Sequence, residues 1–136
     1  MKKIVLTFLI LFIGVNSMCQ NTRMRVVTRS APLKLNKGTH TLGLFFMSGF
    51  DDSVSIYLNK KLIQHCYIKS LFDSDGPYLP MDFTVNCKIN YNLLELKKTK
   101  SQKRYYTYLT KGFSYAVVYL ENDSAIVYTN RPPMNE

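Results

Sequence analysis

The sequence lacks tryptophan and has only two histidines and three cysteines among 136 residues. Three cysteines are too few for a knottin-like disulfide scaffold. A zinc site needs three or four converging nitrogen or sulfur ligands, which His40 and His65 do not supply by themselves. The chain is also too short for a TIM barrel or a two-domain dinucleotide enzyme. We therefore expect one small domain that needs no cofactor.

Recognisable catalytic motifs are also missing. The sequence has no Gly-x-Ser-x-Gly elbow, Walker loop, His-Glu-x-x-His or Cys-x-x-Cys pattern. His65 and Cys66 are consecutive, so in a strand their side chains point to opposite faces and cannot form a thiolate–imidazole pair. We expect a protein without catalytic activity. A small hydrolase that uses paired carboxylates remains an alternative, with the candidates Asp73, Asp75 and Asp82.

Most of the aspartates lie in turn-like sequence, where this residue caps backbone amides. Asp51 and Asp52 belong to this group, as do Asp73 and Asp75. The spacing of Asp73 and Asp75 before Gly76 also resembles a calcium loop, but the distal glutamate of an EF-hand is missing. An ordinary Asp-Gly turn explains the same residues, so we expect no metal and keep Asp73 and Asp75 as calcium candidates only.

Residues 1–19 have the layout of a secretory signal peptide. Lys2 and Lys3 precede an apolar run of twelve residues, Ile4–Val15, whereas a membrane-spanning helix needs about 20. Cleavage after Cys19 would leave Gln20 as the N-terminus, a pattern that resembles signal peptides of Bacteroidetes-type bacteria. We expect an exported protein of the periplasm, cell surface or medium, without a transmembrane span after cleavage.

A lipoprotein acylated at Cys19 is the alternative, but Met18 stands where a bacterial lipobox demands a small side chain. Removal of Cys19 leaves Cys66 and Cys87, an even number in an oxidising compartment. Both cysteines lie on the more apolar side of their predicted strands. We therefore expect a Cys66–Cys87 disulfide, with two buried free thiols as the alternative.

Alternation of apolar and polar residues recurs along the chain after the leader, for example over residues 41–47, 53–59 and 113–120. Turn sequences separate these runs every eight to twelve residues, including a short hairpin at Asn59–Lys61. Tyr91–Lys98 is ambiguous and could form a helical turn, because Leu93, Leu94 and Leu96 fit neither the strand nor the helix period. The pattern predicts an all-β domain over residues 20–130, with residues 131–136 as a flexible tail. We expect a small antiparallel β-sandwich, jelly-roll or immunoglobulin-like, of about eight strands, with a closed β-barrel as the alternative.

The net charge is +9, and the basic residues are densest in one segment. Five of the eight residues in Lys97–Arg104 are basic, namely Lys97, Lys98, Lys100, Lys103 and Arg104. Four residues rich in tyrosine follow, and in a strand Tyr106 and Tyr108 share the face opposite to Tyr105. Cations beside aromatic rings suit a polyanion. A solvated loop that only maintains solubility is the alternative.

These patterns predict an exported bacterial binding domain whose partner is a glycan, an envelope polyanion such as lipopolysaccharide, or an extracytoplasmic protein. Outside the cytoplasm we expect no nucleic-acid partner. Arg23, Arg25 and Arg29 extend the basic surface if the fold brings them near Lys97–Tyr108. A first alternative is a periplasmic inhibitor or immunity protein that blocks a hydrolase with the loop Leu71–Pro80, and a second is the carboxylate-dependent hydrolase.

Overall fold

A computed structural model describes residues 20–34, 38–48, 51–69, 81–86, 88, 91–120 and 123–131. These residues form two five-stranded sheets that pack against each other, and they contain no helix. The predicted all-β sandwich is thus confirmed, and the barrel does not close. The strands are β1 (Asn21–Arg23), β2 (Arg25–Thr28), β3 (Thr39–Ser48), β4 (Asp51–Leu58), β5 (Lys61–Lys69), β6 (Met81–Asn86), β7 (Leu93–Lys98), β8 (Arg104–Tyr108), β9 (Tyr115–Tyr119) and β10 (Ala125–Thr129).

The first sheet has the strand order β1-β8-β7-β4-β5, and the second has the order β2-β10-β9-β3-β6. Strands β1–β8, β2–β10 and β3–β9 pair in parallel, and the other five described pairs are antiparallel. The parallel pairs β1–β8 and β2–β10 arise because the N-terminal segment runs along one edge of each sheet, whereas β3–β9 is a parallel pair inside the second sheet. Met24 lies where this segment crosses from the first sheet to the second, and its side chain is buried between them.

Alternation along the strands builds the core. In β4, Val54 and Ile56 are buried while their neighbours are partly exposed. The ambiguous segment Tyr91–Lys98 contains strand β7, in which Leu94 and Leu96 face the core. The alternation is that of a sheet with one covered and one solvated face. A bulge opposite Ile56 and Tyr57 interrupts it in β5.

The second sheet also has an apolar face turned away from this core. Phe45, Val117 and Val127 form a separate buried cluster there. Partly buried side chains pack around them, namely Val27, Met47, Tyr115 and Tyr119. Strand β9 and residues 44–47 of β3 are apolar on both sides for this reason, which explains why these two stretches are continuously hydrophobic.

The predicted hairpin at Asn59–Lys61 joins β4 to β5. Asn59 and Lys60 both have positive φ angles, 51° and 68°, as a two-residue turn of type I′ requires. The Asn59 side chain accepts a hydrogen bond from the Leu93 amide at 2.8 Å and donates to the buried Asn92 side chain at 3.0 Å. These bonds fix the end of β4 against the start of β7.

The structure does not contain the predicted Cys66–Cys87 disulfide, because Cys66 is a free cysteine. Cys87 itself lies outside the described residues, but Asn86, which precedes it, is hydrogen bonded to Asn92. Cys66 is opposite Val54, and Val54 is opposite Lys98 at the end of β7. Asn92, just before the start of β7, is six residues and therefore about 20 Å from Lys98 along the strand direction. A disulfide requires Cα atoms within about 7 Å. Burial instead raises the pKa of the Cys66 thiol.

Several predictions fall on other residues that the structure does not describe. These are the leader at 1–19, the loop Leu71–Pro80 with Asp73 and Asp75, and residues 132–136 of the tail. The division of the chain into leader, domain and tail therefore stays a prediction. Within the described residues, no helix has the length and apolar character needed to cross a membrane.

Candidate functional site

Two rows of outward side chains cross all five strands of the first sheet. The first row, which we call the tyrosine row, contains Arg23, Tyr106, Glu95, Tyr57 and Leu62 in adjacent strands. The second, which we call the basic row, contains Asn21, Arg104, Lys97, Ser55 and His65. The two rows lie two residues apart along each strand except β5, where the bulge intervenes, a separation of about 7 Å. We call the two rows together the tyrosine–basic face.

The tyrosine–basic face turns away from the core. In β8, Tyr105 and Thr107 are buried between the sheets, whereas Tyr106 is partly exposed and Tyr108 is 46% exposed. Tyr108 extends the face beyond the tyrosine row, where its ring meets that of Tyr91 edge-on with centroids 5.7 Å apart. Of the two predicted faces of β8, the one that carries Tyr106 and Tyr108 is therefore the solvent face.

A depression of about 330 Å³ lies on this side of the first sheet and is lined by Tyr57, Lys60, Glu95 and Arg104. An aromatic ring, two cations and one carboxylate thus surround a single open space. Glu95 and Arg104 are diagonal neighbours across the β7–β8 pair, because Glu95 is opposite Tyr106 and Arg104 is opposite Lys97. Lys60, Glu95 and Arg104 form no ion pair with any other described residue.

The basic hairpin between β7 and β8 is held at its tip by a buried carboxylate. Asp52 is 3% exposed, and its two oxygens lie 2.9 and 3.1 Å from the backbone nitrogen of Lys100. The Thr99 amide also donates to the Ser53 carbonyl at 2.9 Å. Sequence analysis placed Asp51 and Asp52 in a turn, but both belong to β4. The strand includes them because their backbone pairs with Ile68 and Lys69 of β5.

The Lys100 side chain contacts Asp51 and Tyr67 at the same end of the sheet. Its ammonium group donates to the Asp51 carbonyl at 3.2 Å and lies 6.0 Å from the centre of the Tyr67 ring. The Tyr67 hydroxyl donates to the Asp51 carboxylate. This hydrogen bond is the main cause that raises the pKa of Tyr67. Lys100 is therefore directed toward β4 and β5 rather than toward the depression.

The structure separates the predicted basic residues into three groups. Lys97 and Arg104 belong to the basic row, whereas Lys100 and Lys103 are exposed residues of the hairpin. Lys98 lies on the same side of β7 as the buried Leu94 and Leu96, which is the side facing the core. It is therefore not part of the tyrosine–basic face.

The N-terminal arginines are separated as well. Arg23 joins the tyrosine row, as the extended basic surface requires. Arg25 and Arg29 lie along the second sheet, where the Arg25 guanidinium forms a 3.0 Å ion pair with Asp123.

Sequence analysis missed Tyr57, Lys60 and Glu95. Glu95 lies near Arg104 through the β7–β8 hairpin, whereas the proximity of Tyr57 and Lys60 depends on β4 pairing with β7, two strands separated by more than thirty residues in the chain. The alternation of Tyr57 with the buried Ile56 was a signal that its side chain faces solvent. No local pattern, however, indicates which distant strand lies beside it.

The acidic residues are dispersed in this part of the molecule. Asp51 is an exposed acid of β4, six residues before Tyr57. Because Tyr57 is opposite Glu95, the two acids are about 20 Å apart along the strand direction. Asp82, one of the hydrolase candidates, is an exposed residue of β6 in the other sheet. Within the described residues, no three His, Cys, Asp or Glu side chains are grouped as a metal site requires.

The chain matches no family model, no curated protein and no solved structure.

Proposed function

We propose that this protein is an exported, non-catalytic binding module that holds an anionic polysaccharide on the tyrosine–basic face. Its export is inferred from the leader-like pattern of residues 1–19. The observation that carries the binding proposal is the position of the basic row directly beside the tyrosine row. A chain of acidic sugars presents anionic groups and the flat apolar faces of its rings along one ligand, and the two rows offer a partner for each.

The charges of this face favour an anion. Arg23, Lys97 and Arg104 lie on the two rows, with Glu95 as their one carboxylate. The basic hairpin adds Lys103 at one end, and Lys100, whose ammonium group is hydrogen bonded to the Asp51 carbonyl, adds positive charge nearby. Cations that are not already paired within the protein lose little on meeting a ligand, whereas a paired cation must first give up its partner. Attraction between exposed charges of this kind weakens as salt increases.

The tyrosines supply contact area for the rings of the ligand. Tyr57 and Tyr106 flank Glu95 in one row, and Tyr108 and Tyr91 continue the aromatic surface toward the opposite end from the hairpin. Tyrosine combines a large apolar ring with a hydroxyl group and loses little conformational entropy on binding. A strand-borne aromatic platform is also already rigid before the ligand arrives.

The proposal is tested by biolayer interferometry with biotinylated polygalacturonate, dextran sulfate and neutral dextran on the sensor. The protein is purified after expression of the full chain, and binding is measured at low and high sodium chloride concentration. We expect binding to at least one acidic polymer, little or no binding to dextran, and an affinity that falls about tenfold as salt rises, as several ionic contacts require.

A charge-matched pair of variants locates the binding. Lys97→Ala combined with Arg104→Ala removes two cations from the basic row, and Arg29→Ala combined with Lys34→Ala removes two exposed cations elsewhere. We expect the first variant to lose about tenfold in affinity and the second less than about twofold. Equal losses would show attraction to net charge alone and overturn the proposal. Failure to bind either acidic polymer, or salt-insensitive capture of one secreted enzyme instead, would also overturn it.

A further inference from the structure

We propose that the depression between Tyr57 and Arg104 binds one sugar-acid unit, a uronic acid, and so makes the protein selective for uronate-containing polysaccharides over sulfated ones. This inference rests on the proposed function. Its volume of about 330 Å³ is near the lower end of the roughly 300–1,000 Å³ typical of small-molecule sites. That space suits one sugar ring rather than a longer stretch of polymer.

Glu95 is the residue that a purely electrostatic anion site would not contain. It lies in the middle of the tyrosine row, opposite Tyr57 on one side and Tyr106 on the other, and it lines the depression. A carboxylate repels a sulfate ester, which offers it no hydrogen-bond donor. It accepts charge-assisted hydrogen bonds from hydroxyl groups. The ligand suited to this depression therefore carries hydroxyl groups as well as an anion.

Arg104 supplies the complementary group for the anion. A guanidinium binds a carboxylate through two parallel N–H donors, a geometry that lysine cannot provide. Arg104 is exposed, and its backbone amide is fixed by the Gln20 carbonyl at 3.1 Å. The strand pairing thus fixes the point from which the side chain reaches the depression.

The spacing of these two residues matches the size of a pyranose ring. Glu95 and Arg104 are diagonal neighbours across β7 and β8, and side chains in such positions start about 7–8 Å apart. A uronic acid bridges this gap with its carboxylate toward Arg104 and the hydroxyl groups at the far side of the ring toward Glu95. Tyr57 forms the wall against which an apolar face of the ring packs.

Glu95→Gln separates this arrangement from general attraction between charges. The substitution preserves the shape of the side chain but removes its charge. We expect it to bind dextran sulfate about twofold more tightly, because a like charge is removed, and polygalacturonate about fivefold more weakly, because charge-assisted bonds to hydroxyl groups are lost. Asp82→Asn, at an exposed strand position of the second sheet, is the matched control, and we expect less than a twofold change with either polymer.

Arg104→Lys provides the second arm, because it retains the charge and removes the paired donors. We expect about fivefold weaker binding to polygalacturonate and little change with dextran sulfate. If Glu95→Gln strengthens binding to both polymers, or wild type binds dextran sulfate but not polygalacturonate, the uronate site is wrong while the proposed function stands. If wild type binds neither polymer, both proposals fail. Thermal denaturation of each variant verifies that the fold is unchanged.

Discussion

The two carboxylate oxygens of Asp52 share the backbone N–H of Lys100 as their donor, although the two residues are 48 positions apart in the chain. Asp52 is in β4 and almost fully buried, and Lys100 is at the tip of the hairpin that joins β7 to β8. This contact connects the core of the first sheet to its most basic segment. The position of that segment is therefore a property of the folded sheet rather than of a free loop.

Asp52→Ala should lower the free energy of unfolding by about 1–3 kcal/mol, because it leaves the Lys100 amide without its acceptor. Asp52→Asn keeps one side-chain oxygen and should lose less. Urea denaturation of the two variants measures both effects. The exposed Asp82→Ala is the control, with an expected change within about 0.5 kcal/mol. An Asp52→Ala protein as stable as wild type would show that the contact contributes nothing.

Gly112→Ala should destabilise the protein because the position has no room for a side chain. Its φ angle is +92°, and an added Cβ would lie 2.8 Å from the Pro32 Cβ and 2.9 Å from the Leu33 carbonyl oxygen. We expect a loss of at least about 1–2 kcal/mol in urea denaturation. Gly38→Ala is the matched control, since its Cβ would meet the flexible Lys88 side chain at 3.1 Å. Equal stability of the two variants would contradict this prediction.

Lys60→Gly should change stability and binding in opposite directions. Lys60 has a φ angle of +68°, which glycine adopts without strain, so the variant should gain about 1 kcal/mol in the free energy of unfolding. The same change removes a cation from the depression and should weaken polygalacturonate binding about threefold.

Lys61→Gly tests whether this effect is specific to the turn. Lys61 is exposed at the start of β5 and has no positive φ angle, so glycine should cost about 0.5–1 kcal/mol there. Its effect on polygalacturonate binding should be smaller than that of Lys60→Gly. A Lys60→Gly protein that is less stable than wild type would contradict the assigned turn geometry.

Tyr128 should make the fold sensitive to high pH. Burial raises the pKa of its hydroxyl to about 12, partly offset by the hydrogen bond from the Thr110 amide, against about 10 in the unfolded chain. The folded state therefore binds the proton more tightly. This stability is fully present below pH 10 and is lost as pH rises toward 12, by about 2–3 kcal/mol.

Comparison with Tyr128→Phe isolates this contribution. The variant lacks the acceptor for the Thr110 amide and should be less stable at neutral pH by about 1 kcal/mol. Its stability should fall less steeply between pH 10 and 11.5, because the other tyrosines and the lysines titrate in both proteins. Parallel decreases in urea denaturation across this range would show that Tyr128 does not carry the effect.

Alternation in sequence was enough to predict the sandwich, because burial of one side of each strand is a local pattern. The same pattern could not predict that β1 and β2 follow the edges of different sheets, since these short strands bury little besides Met24. Composition pointed to Lys97, Arg104, Tyr106 and Tyr108. It could not place Tyr57 beside them, because the pairing of β4 with β7 is decided by contacts across the whole chain, whereas Glu95 reaches them through the β7–β8 hairpin.

The disulfide prediction failed for a related reason. An even number of cysteines on apolar sides of strands says nothing about where along the strands they lie. Cys66 is level with Val54, whereas Asn86, the residue before Cys87, is held at the other end of the sandwich by Asn92. Position along a sheet depends on register, which only the complete set of strand pairs determines.

The most direct test of the binding face is a two-dimensional ¹⁵N NMR titration of the protein with trigalacturonate. We predict that the largest amide shift changes fall in β4, β7 and β8, at Tyr57, Glu95, Arg104 and Tyr106, with smaller changes in β1. Shift changes confined to the second sheet would contradict the proposed binding face, and no shift changes at millimolar trigalacturonate would contradict the uronate site.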